Sequence, residues 1–536
     1  MTHDVPVLVV GGSLVGMSTA LLLGHHGVRA LVVEHHRGTA IHPRAAQVNQ
    51  RTMEIFRTVG IEDIVRTRSG EQFVQDGAIM AVETLAGREL TYFIANLNEG
   101  IRDVSPTERV FISQSLLEPL LRTRTEELGA RLRFGTEMVA FQQDAHGVTA
   151  TIRDRDSGHE ETIRAAYMIA ADGAHSTVRE RLGIGTAGRG VFSNSVTIYF
   201  RANVAPLLRG RNLSVIYVNH PRVRGFFRFE KPFERGFLAI NSLGSPEAPV
   251  TDVATGLTEG DCVDVIRMAL GVDDLPVAVE SVMAWKATAD VARHFERGRI
   301  FLAGDAAHVM PPNGGFGGNT GIHDAHNLAW KMALVLRGHA SPELLSTYEA
   351  ERKPVAVFTT EQAYSRYVTR TAPYLGTHGI QPVEDDLNVE LGYLYKSSAI
   401  CAEPAEPDVL HEHPRASKGR PGSRAPHVWL ADGTSTLDLF GRGWVLLAGP
   451  EGSSWCDAAR IARRALGLDV DVHQIGSARL AGAETLTEAY GITPTGAVLV
   501  RPDGFVGWRA ARLGPDAAEY VPLILRALGA MTGRKT

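Results

Sequence analysis

Residues 299–333 read RIFLAGDAAHVMPPNGGFGGNTGIHDAHNLAWKMA. A strand ends in Gly304-Asp305, a Pro-Pro and glycine-rich turn follows, and a helix is expected to open near Gly318-Asn319. One carboxylate at a strand end can accept hydrogen bonds from a sugar-like polyol. Bare backbone from Gly314 to Gly318 lets a flat, partly anionic ring approach peptide N–H groups. That combination suits a riboflavin moiety better than an adenine. The same glycines also suit an ordinary strand-turn-helix connection, so the rest of the chain has to decide.

Working outward, a second nucleotide element lies at the N-terminus. Val5 to Val10 (VPVLVV) is a buried-strand run, Gly11-Gly12-Ser13-Leu14-Val15-Gly16 a turn, and Met17 to His26 a helix. The 20 uncharged residues from Val5 to Gly24 are long enough for a membrane span, but Asp4 precedes them and the glycine turn cuts them into strand and helix lengths. A second strand, Arg29 to Val33, ends in Glu34. In a dinucleotide fold the glycines admit the pyrophosphate at the helix N-terminus, and an acid some 20 residues on bonds the ribose. Gly11, Gly16 and Glu34 take those places. A carboxylate at Glu34 repels a 2′-phosphate, so the tightly held dinucleotide is FAD or NAD rather than NADP. Ser13 departs from the usual middle glycine.

Tyr167 to Ala171 is a further buried strand, ending in Asp172-Gly173 before a helix with Ser176 and Arg179. Three strand ends thus aim at one ligand, as expected for an α/β sheet. Arg44 and Arg51 follow the ribose acid, where a planar guanidinium suits a pyrophosphate. A literal G-x-G-x-x-G at Gly183, Gly185 and Gly188 follows a helical stretch instead of a strand. It is therefore expected to be a flexible connector.

These motifs carry a specific resemblance. VVGGSLVG with Glu34, HPRAAQVNQRTMEIFRTVGI, ADGAHSTVR and the Gly304 to Ala333 segment resemble, in order and spacing, the class A flavoprotein monooxygenases of the phenol and aromatic polyketide hydroxylase type. The resemblance implies that Gly11, Ser13, Leu14, Val15, Gly16, Glu34, His35 and Arg44 hold the AMP and pyrophosphate half of FAD, with Gln114 also touching the cofactor. It implies that Asp172 meets both FAD and NADPH pyrophosphates, and that Gly304-Asp305 holds the ribityl chain. Pro312, Gly315, Gly317, Gly318 and Asn319 lie along the isoalloxazine ring by the same implication.

Between Phe192 and Ala287 helical signals lapse and strands alternate (SVTIYF, LSVIYV, GFFRF, GFLAIN, SVMAWKA). The resemblance makes this sheet the roof of a substrate pocket. Tyr217, Phe227, Phe229 and Trp285 are the candidates to line it, although aromatic strand residues more often sit in a core. The long helical stretch 342–372 contains Arg370, whose charge would stabilise a phenolate, while Tyr217 would hydrogen-bond a phenolic oxygen. After a Pro, Gly and charge-rich linker (403–426), the tail has the strand-helix and hairpin order of the thioredoxin-like C-terminal domain of phenol and polyketide hydroxylases. Cys456 lacks a C-x-x-C partner, so dithiol chemistry is not expected.

The expected fold class is α/β: a Rossmann-like FAD-binding domain (1–190 and 288–405), an inserted β-sheet substrate domain (191–287) and a thioredoxin-like domain (406–536). At 536 residues a multidomain chain is expected. A net charge of -5 offers no footprint for nucleic acid, and three scattered cysteines (262, 401, 456) suggest neither a disulfide framework nor a metal site but fit a cytoplasmic protein.

The implied activity is hydroxylation of a phenolic aromatic with bound FAD, NADPH (or NADH) and O2 through a flavin hydroperoxide. The tail and the broad sheet suggest a fused-ring polyketide substrate of the anthracycline or angucycline kind. A simple phenol, epoxidation or Baeyer-Villiger oxidation, and a non-catalytic flavin-binding protein remain open. The chain is expected to work as a monomer or homodimer, apart from membranes.

Overall fold

The structure is a computed structural model and describes residues 3–41, 47–245, 247–403, 408–512 and 520–533. Its first sheet is parallel at its centre. Ile300–Leu302, Glu160–Ala170, Val5–Val10, Ala30–Glu34 and Arg131–Phe134 lie side by side in that order. The inner strands Val5–Val10, Ala30–Glu34 and Ile300–Leu302 are buried along nearly their whole length, which is why they read as continuous runs instead of alternating ones. The outer half of Glu160–Ala170 instead pairs antiparallel with Val148–Asp154, which pairs with Thr136–Gln143.

Parallel pairing has one consequence that matters for the site. The carboxyl ends at Val10, Glu34, Ala170 and Leu302 all fall along one edge, where an open α/β sheet takes its ligand. The N-terminal apolar run resolves into strand Val5–Val10 and helix Leu14–His25. Among the described residues no helix is long and apolar enough to cross a membrane.

The second sheet has eight strands in the order His308–Val309, Ala278–Ala292, Thr186–Arg201, Arg235–Leu243, Val223–Glu230, Leu213–His220, Ala78–Val82 and Glu89–Ile94. It is not built from residues 191–287 alone. Ala78–Val82 pairs parallel with Leu213–His220 and brings Glu89–Ile94 with it. Long-range pairing of this kind leaves no local signal in a sequence. The glycines at 183–188 are likewise not a flexible connector throughout: Gly188 sits inside strand Thr186–Arg201, where a Cβ would lie 2.1 Å from the Ala289 carbonyl oxygen.

Helix Glu259–Leu270 closes one face of this sheet, started by a Thr258/Asp261 capping box and stopped by Gly271 at φ 77°. Cys262, Val265, Ile266, Ala269 and Leu270 pack onto Val196, Ile198, Phe227 and Leu238. The opposite face carries Tyr217, which meets Asn313, and Trp285, which packs near Tyr367.

The C-terminal sheet has the thioredoxin-like order Val470–Gln474, Trp444–Ala448, Ala497–Val500, Val506–Ala510, its first pair parallel and the rest antiparallel. Cys456 is buried on helix Ser453–Leu466. The stretch read as a linker is in its described part a docking element. Arg424 donates two hydrogen bonds to Glu54, the Tyr395 N–H bonds the Gly422 carbonyl, and the Gly422 N–H bonds the Val506 carbonyl. Its Pro and Gly content suited an irregular path, and the partners it bonds lie far away in sequence.

Candidate active site

At the N-terminal turn the glycines are obligatory. A Cβ at Gly16 would stand 1.8 Å from the Gly11 carbonyl oxygen, and one at Gly11 (φ 101°) 2.2 Å from the Ala171 carbonyl oxygen. Helix Leu14–His25 therefore starts with its free N–H groups pressed against two strand ends. Ser13 fits because its hydroxyl turns aside: it donates to Glu118 Oε1 at 2.5 Å and accepts from Gln114 Nε2 at 2.8 Å. Glu118, buried on helix Gln114–Glu127, also accepts from the Ala40 N–H, and no sequence signal had singled it out.

Glu34 accepts hydrogen bonds from the Gly12 N–H at 2.7 Å and the His36 N–H at 2.8 Å. Burial alone would raise its carboxyl; those two N–H groups and the His36 ring outweigh it and hold the group below the usual carboxylate range. It is thus ionised at neutral pH, which its expected role toward a ribose would require. His35 is exposed, its Nδ1 3.1 Å from Glu34. Arg44 lies outside the described residues. Arg51 is not at the pyrophosphate: it is buried, donates to Glu54 and to the Asp503 carbonyl, and so ties the first domain to the C-terminal one.

The other two strand ends are braced against each other. Arg179 donates to the Ala174 and Ala306 carbonyls, joining the Asp172 turn to the Asp305 turn. Asp172 accepts from the Val178 N–H through one oxygen, while its other carboxylate oxygen is enclosed and unbonded. Asp305 is exposed at the tip of the turn Gly304–Ala306. Beneath it the buried Asp324 accepts from the Gly304 N–H (3.1 Å), His308 Nε2 (2.7 Å) and Arg352 Nε (2.8 Å), so the strand end, the following helix and helix Glu343–Arg370 share one anchor. A cleft lined by Leu14, Gln47, Ile112, Gln114, Gly318 and Asn319 runs along this edge.

The glycine turn differs from expectation at one point. The helix opens at Phe316, two residues early, with Gly315 in the left-handed region (φ 66°). Gly317 and Gly318 consequently occupy the first helical turn, whose free N–H groups and positive dipole end would suit a partly anionic ring. Asn319 is an anchor through its side chain. It accepts from the Asn49 N–H and Thr52 hydroxyl and donates to the Gln47 and Gly315 carbonyls. Pro312 is exposed at the lip of this bed, and its neighbour Asn313 is buried.

The second sheet meets this turn on the face expected to wall the substrate pocket. Asn313 Nδ2 donates to the Tyr217 hydroxyl at 3.3 Å and to the Thr371 hydroxyl at 3.1 Å, so the turn is clamped to the sheet and to the end of helix Glu343–Arg370. Arg370 lies with its guanidinium carbon 4.9 Å from the centre of the Phe93 ring, and that ring meets Tyr217 edge-on at 5.6 Å. Phe226, opposite Tyr217 in register, completes the group at 5.9 Å.

Phe227 and Phe229 are not in the pocket. They point to the other face, into the core against helix Glu259–Leu270. Strand residues alternate faces, and the facing pair Tyr217 and Phe226 sets the phase. Trp285 donates to the Thr197 hydroxyl and packs near Phe192 and Tyr367. Arg228 does face the pocket side and had not been singled out. Burial pushes its guanidinium down to about 9, a loss that the nearby Tyr217 partly opposes.

Residues 4–363 match the FAD binding domain family, and residues 418–530 match the aromatic-ring hydroxylase C-terminal family. The chain belongs to the FAD-dependent aromatic-ring hydroxylases. Among its relatives, a 4-methyl-5-nitrocatechol 5-monooxygenase from Burkholderia sp is 50% identical across 98% of this chain and 97% of its own. An aklavinone 12-hydroxylase from Streptomyces purpurascens is 36% identical across 98% of each chain. The crystal structure of aklavinone-11 hydroxylase with FAD and aklavinone superposes with a TM-score of 0.92 at 35% identity, covering 100% of both chains.

For an aromatic-ring hydroxylase of this family the residues present fit FAD. The Gly11 to Gly16 turn leaves no room for side chains beside the helix N-terminus, Glu34 is held ionised at the end of strand Ala30–Glu34, and Asp172 keeps one oxygen unbonded at the same sheet edge. Asp305 is exposed in the turn Gly304–Ala306 at the end of strand Ile300–Leu302, and its expected role is to bind the ribityl chain. Asp305→Ala should therefore give a hydroxylase purified at least about tenfold poorer in flavin, consistent with loss of charge-assisted hydrogen bonds. Full flavin content, read from the visible absorbance of the purified protein, contradicts that role.

Proposed function

We propose that this hydroxylase uses NADPH and O2 to add one oxygen to a phenolic ring, acting in the cytoplasm. The observation that carries this reading is the clamp of Tyr217, Asn313 and Thr371 beside Arg370, at the lip of the glycine bed. Bound FAD supplies the electron store and the activation of dioxygen. Two electrons come from NADPH, one oxygen atom enters the ring, and the other leaves as water.

The chain's own groups prepare the phenol. The Tyr217 hydroxyl accepts from Asn313, which leaves its proton to donate to a phenolic oxygen. The Arg370 charge lowers the pKa of a bound phenol and holds it as the more nucleophilic phenolate. Phe93 and Phe226 keep water from that oxygen and strengthen both interactions.

Arg370→Gln is expected to lower kcat/KM by about 10²- to 10³-fold at neutral pH, the scale of a lost charge-stabilising donor. Because the charge acts on phenol ionisation, the deficit should shrink as pH rises. A loss equal at every pH contradicts the role.

Fused-ring polyketides of the aklavinone kind are the substrate class proposed first, since polyketide hydroxylases recur among relatives that span nearly the whole chain. A mononuclear catechol is the second reading, favoured by the nitrocatechol monooxygenase. Incubation with NADPH, air and a panel of anthracyclinones, angucyclinones, nitrocatechol and simple phenols tests both. Aromatic-dependent NADPH consumption with a one-oxygen mass gain supports the reading and selects the class. A yellow protein that oxidises NADPH with none of them favours a non-catalytic flavoprotein.

A further inference from the structure

Seven arginines are buried among the described residues, and six of them pair with carboxylates. Arg51 and Arg424 bind Glu54, Arg109 binds Glu390, Arg352 binds Asp324, Arg366 binds Asp386, and Arg501 binds Glu351. Arg228 is the exception. It is 8% exposed, has no ion pair or hydrogen bond to a described residue, and its Nε is enclosed without a partner. Its guanidinium carbon lies 4.0 Å from the Phe111 ring centre and 5.5 Å from that of Phe73. Ring faces attract a cation but replace only part of what water gave it, so a buried guanidinium without an anion is a costly feature.

The surroundings indicate what would relieve that cost. Arg228 shares a sheet face with Phe226 two residues earlier and with Tyr217 on the adjoining strand. Just beyond Phe111, Ile112 and Gln114 line the cofactor cleft. The strand order sets Arg228 and the Phe93–Arg370 stack on opposite sides of Tyr217. A substrate ring beside Tyr217 would thus have one guanidinium on each side, and the inner one lacks a counter-ion of its own.

We infer that Arg228 is an anion-recognition residue of the substrate pocket, its planar fork taking the ionised oxygen of an acidic phenol such as a nitrocatecholate. This rests on the phenol-hydroxylating reading above and adds a preference for a ring that arrives already charged. Arg109 and Glu390 show how this chain neutralises another buried guanidinium, with a carboxylate at 2.7 Å; Arg228 has no such neighbour among the described residues. A guanidinium fork is also the cation best matched to two adjacent catechol oxygens.

The test is equilibrium binding to oxidised holoenzyme, read as perturbation of the flavin absorbance without NADPH. The probes are nitrocatechol and methylcatechol, at a pH where only the former is ionised. Wild type should bind nitrocatechol more tightly. Arg228→Met should weaken nitrocatechol about 10- to 100-fold, the worth of a hydrogen bond to a charged group, and methylcatechol less than about threefold. Arg228→Lys should recover part of the difference.

Because no ion pair is lost, Arg228→Met should melt no lower than wild type with full flavin content. Equal weakening of both probes, loss of flavin, or a fall in Tm with binding unchanged overturns the inference. So does a wild type that binds both probes equally, whatever the variants do. The hydroxylation reading fails separately, by absence of aromatic-dependent NADPH oxidation in wild type.

Discussion

Gly16→Ala is expected to weaken FAD binding at least about a hundredfold, equivalent to about 2.7 kcal/mol. The reason is geometric. The added Cβ would stand 1.8 Å from the Gly11 carbonyl oxygen, and the next heavy atom, the Gly11 carbonyl carbon, is at 2.8 Å. Both belong to backbone, so no side chain can swing away. The turn must open, and the helix N-terminus leaves the strand ends on which the pyrophosphate depends. Flavin-to-protein ratio after gel filtration checks this, with circular dichroism confirming that the variant remains folded. A folded variant with wild-type flavin content contradicts the assignment of the turn.

Glu351→Gln is expected to destabilise the protein by about 3–5 kcal/mol, the usual effect of removing one partner of a buried ion pair. Glu351 lies on the long helix and accepts from Arg501 at 2.7 and 2.9 Å, Lys331 at 2.8 Å, Asn327 at 2.6 Å and Ser397 at 2.6 Å. Burial alone would raise its carboxyl, and the Arg501 and Lys331 charges overturn that, holding it well below the usual carboxylate range. A depressed folded-state pKa adds stability above the unfolded carboxylate pKa, and that stability is lost as pH falls through the folded one. The variant's deficit should therefore be largest near neutral pH and narrow on acidification. Arg501 directly follows strand Ala497–Val500 of the C-terminal sheet, so the same change loosens that domain's attachment to the helix. Thermal unfolding at several pH values checks it, and an unchanged midpoint at neutral pH contradicts it.

The nucleotide-binding elements were legible because their signals are local. A glycine turn between an apolar strand and a helix, and an acid closing the next strand, state their positions within some thirty residues. Parallel pairing then aligned Val10, Glu34, Asp172 and Asp305 at one edge, as the motif order implied. Other features depended on partners remote in sequence. Phe227 and Phe226 differ by one position, and only the pairing with Tyr217 determines which of them faces the pocket.

The same strand phase concealed Arg228, which in the run GFFRFE reads as a solvated charge. Arg51 followed the ribose acid in sequence, yet the helix turns it toward Asp503, 452 residues away. Ser13 departed from the glycine pattern without harm because Glu118, 105 residues on, takes its hydroxyl. Asn319, expected along the flavin ring, makes four side-chain bonds to Gln47, Asn49, Thr52 and Gly315 that brace the turn, and these partners are remote from it in sequence except Gly315.

This sheet edge is proposed to hold FAD so that dioxygen is activated beside a phenol poised by Tyr217 and Arg370. Incubation of the holoenzyme with NADPH, isotopically labelled dioxygen and the aromatic panel, followed by product mass and label position, tests it most directly. One labelled oxygen on the ring is expected, with NADPH consumption matching product. Product carrying oxygen from water, or NADPH oxidation indifferent to every aromatic offered, would contradict it.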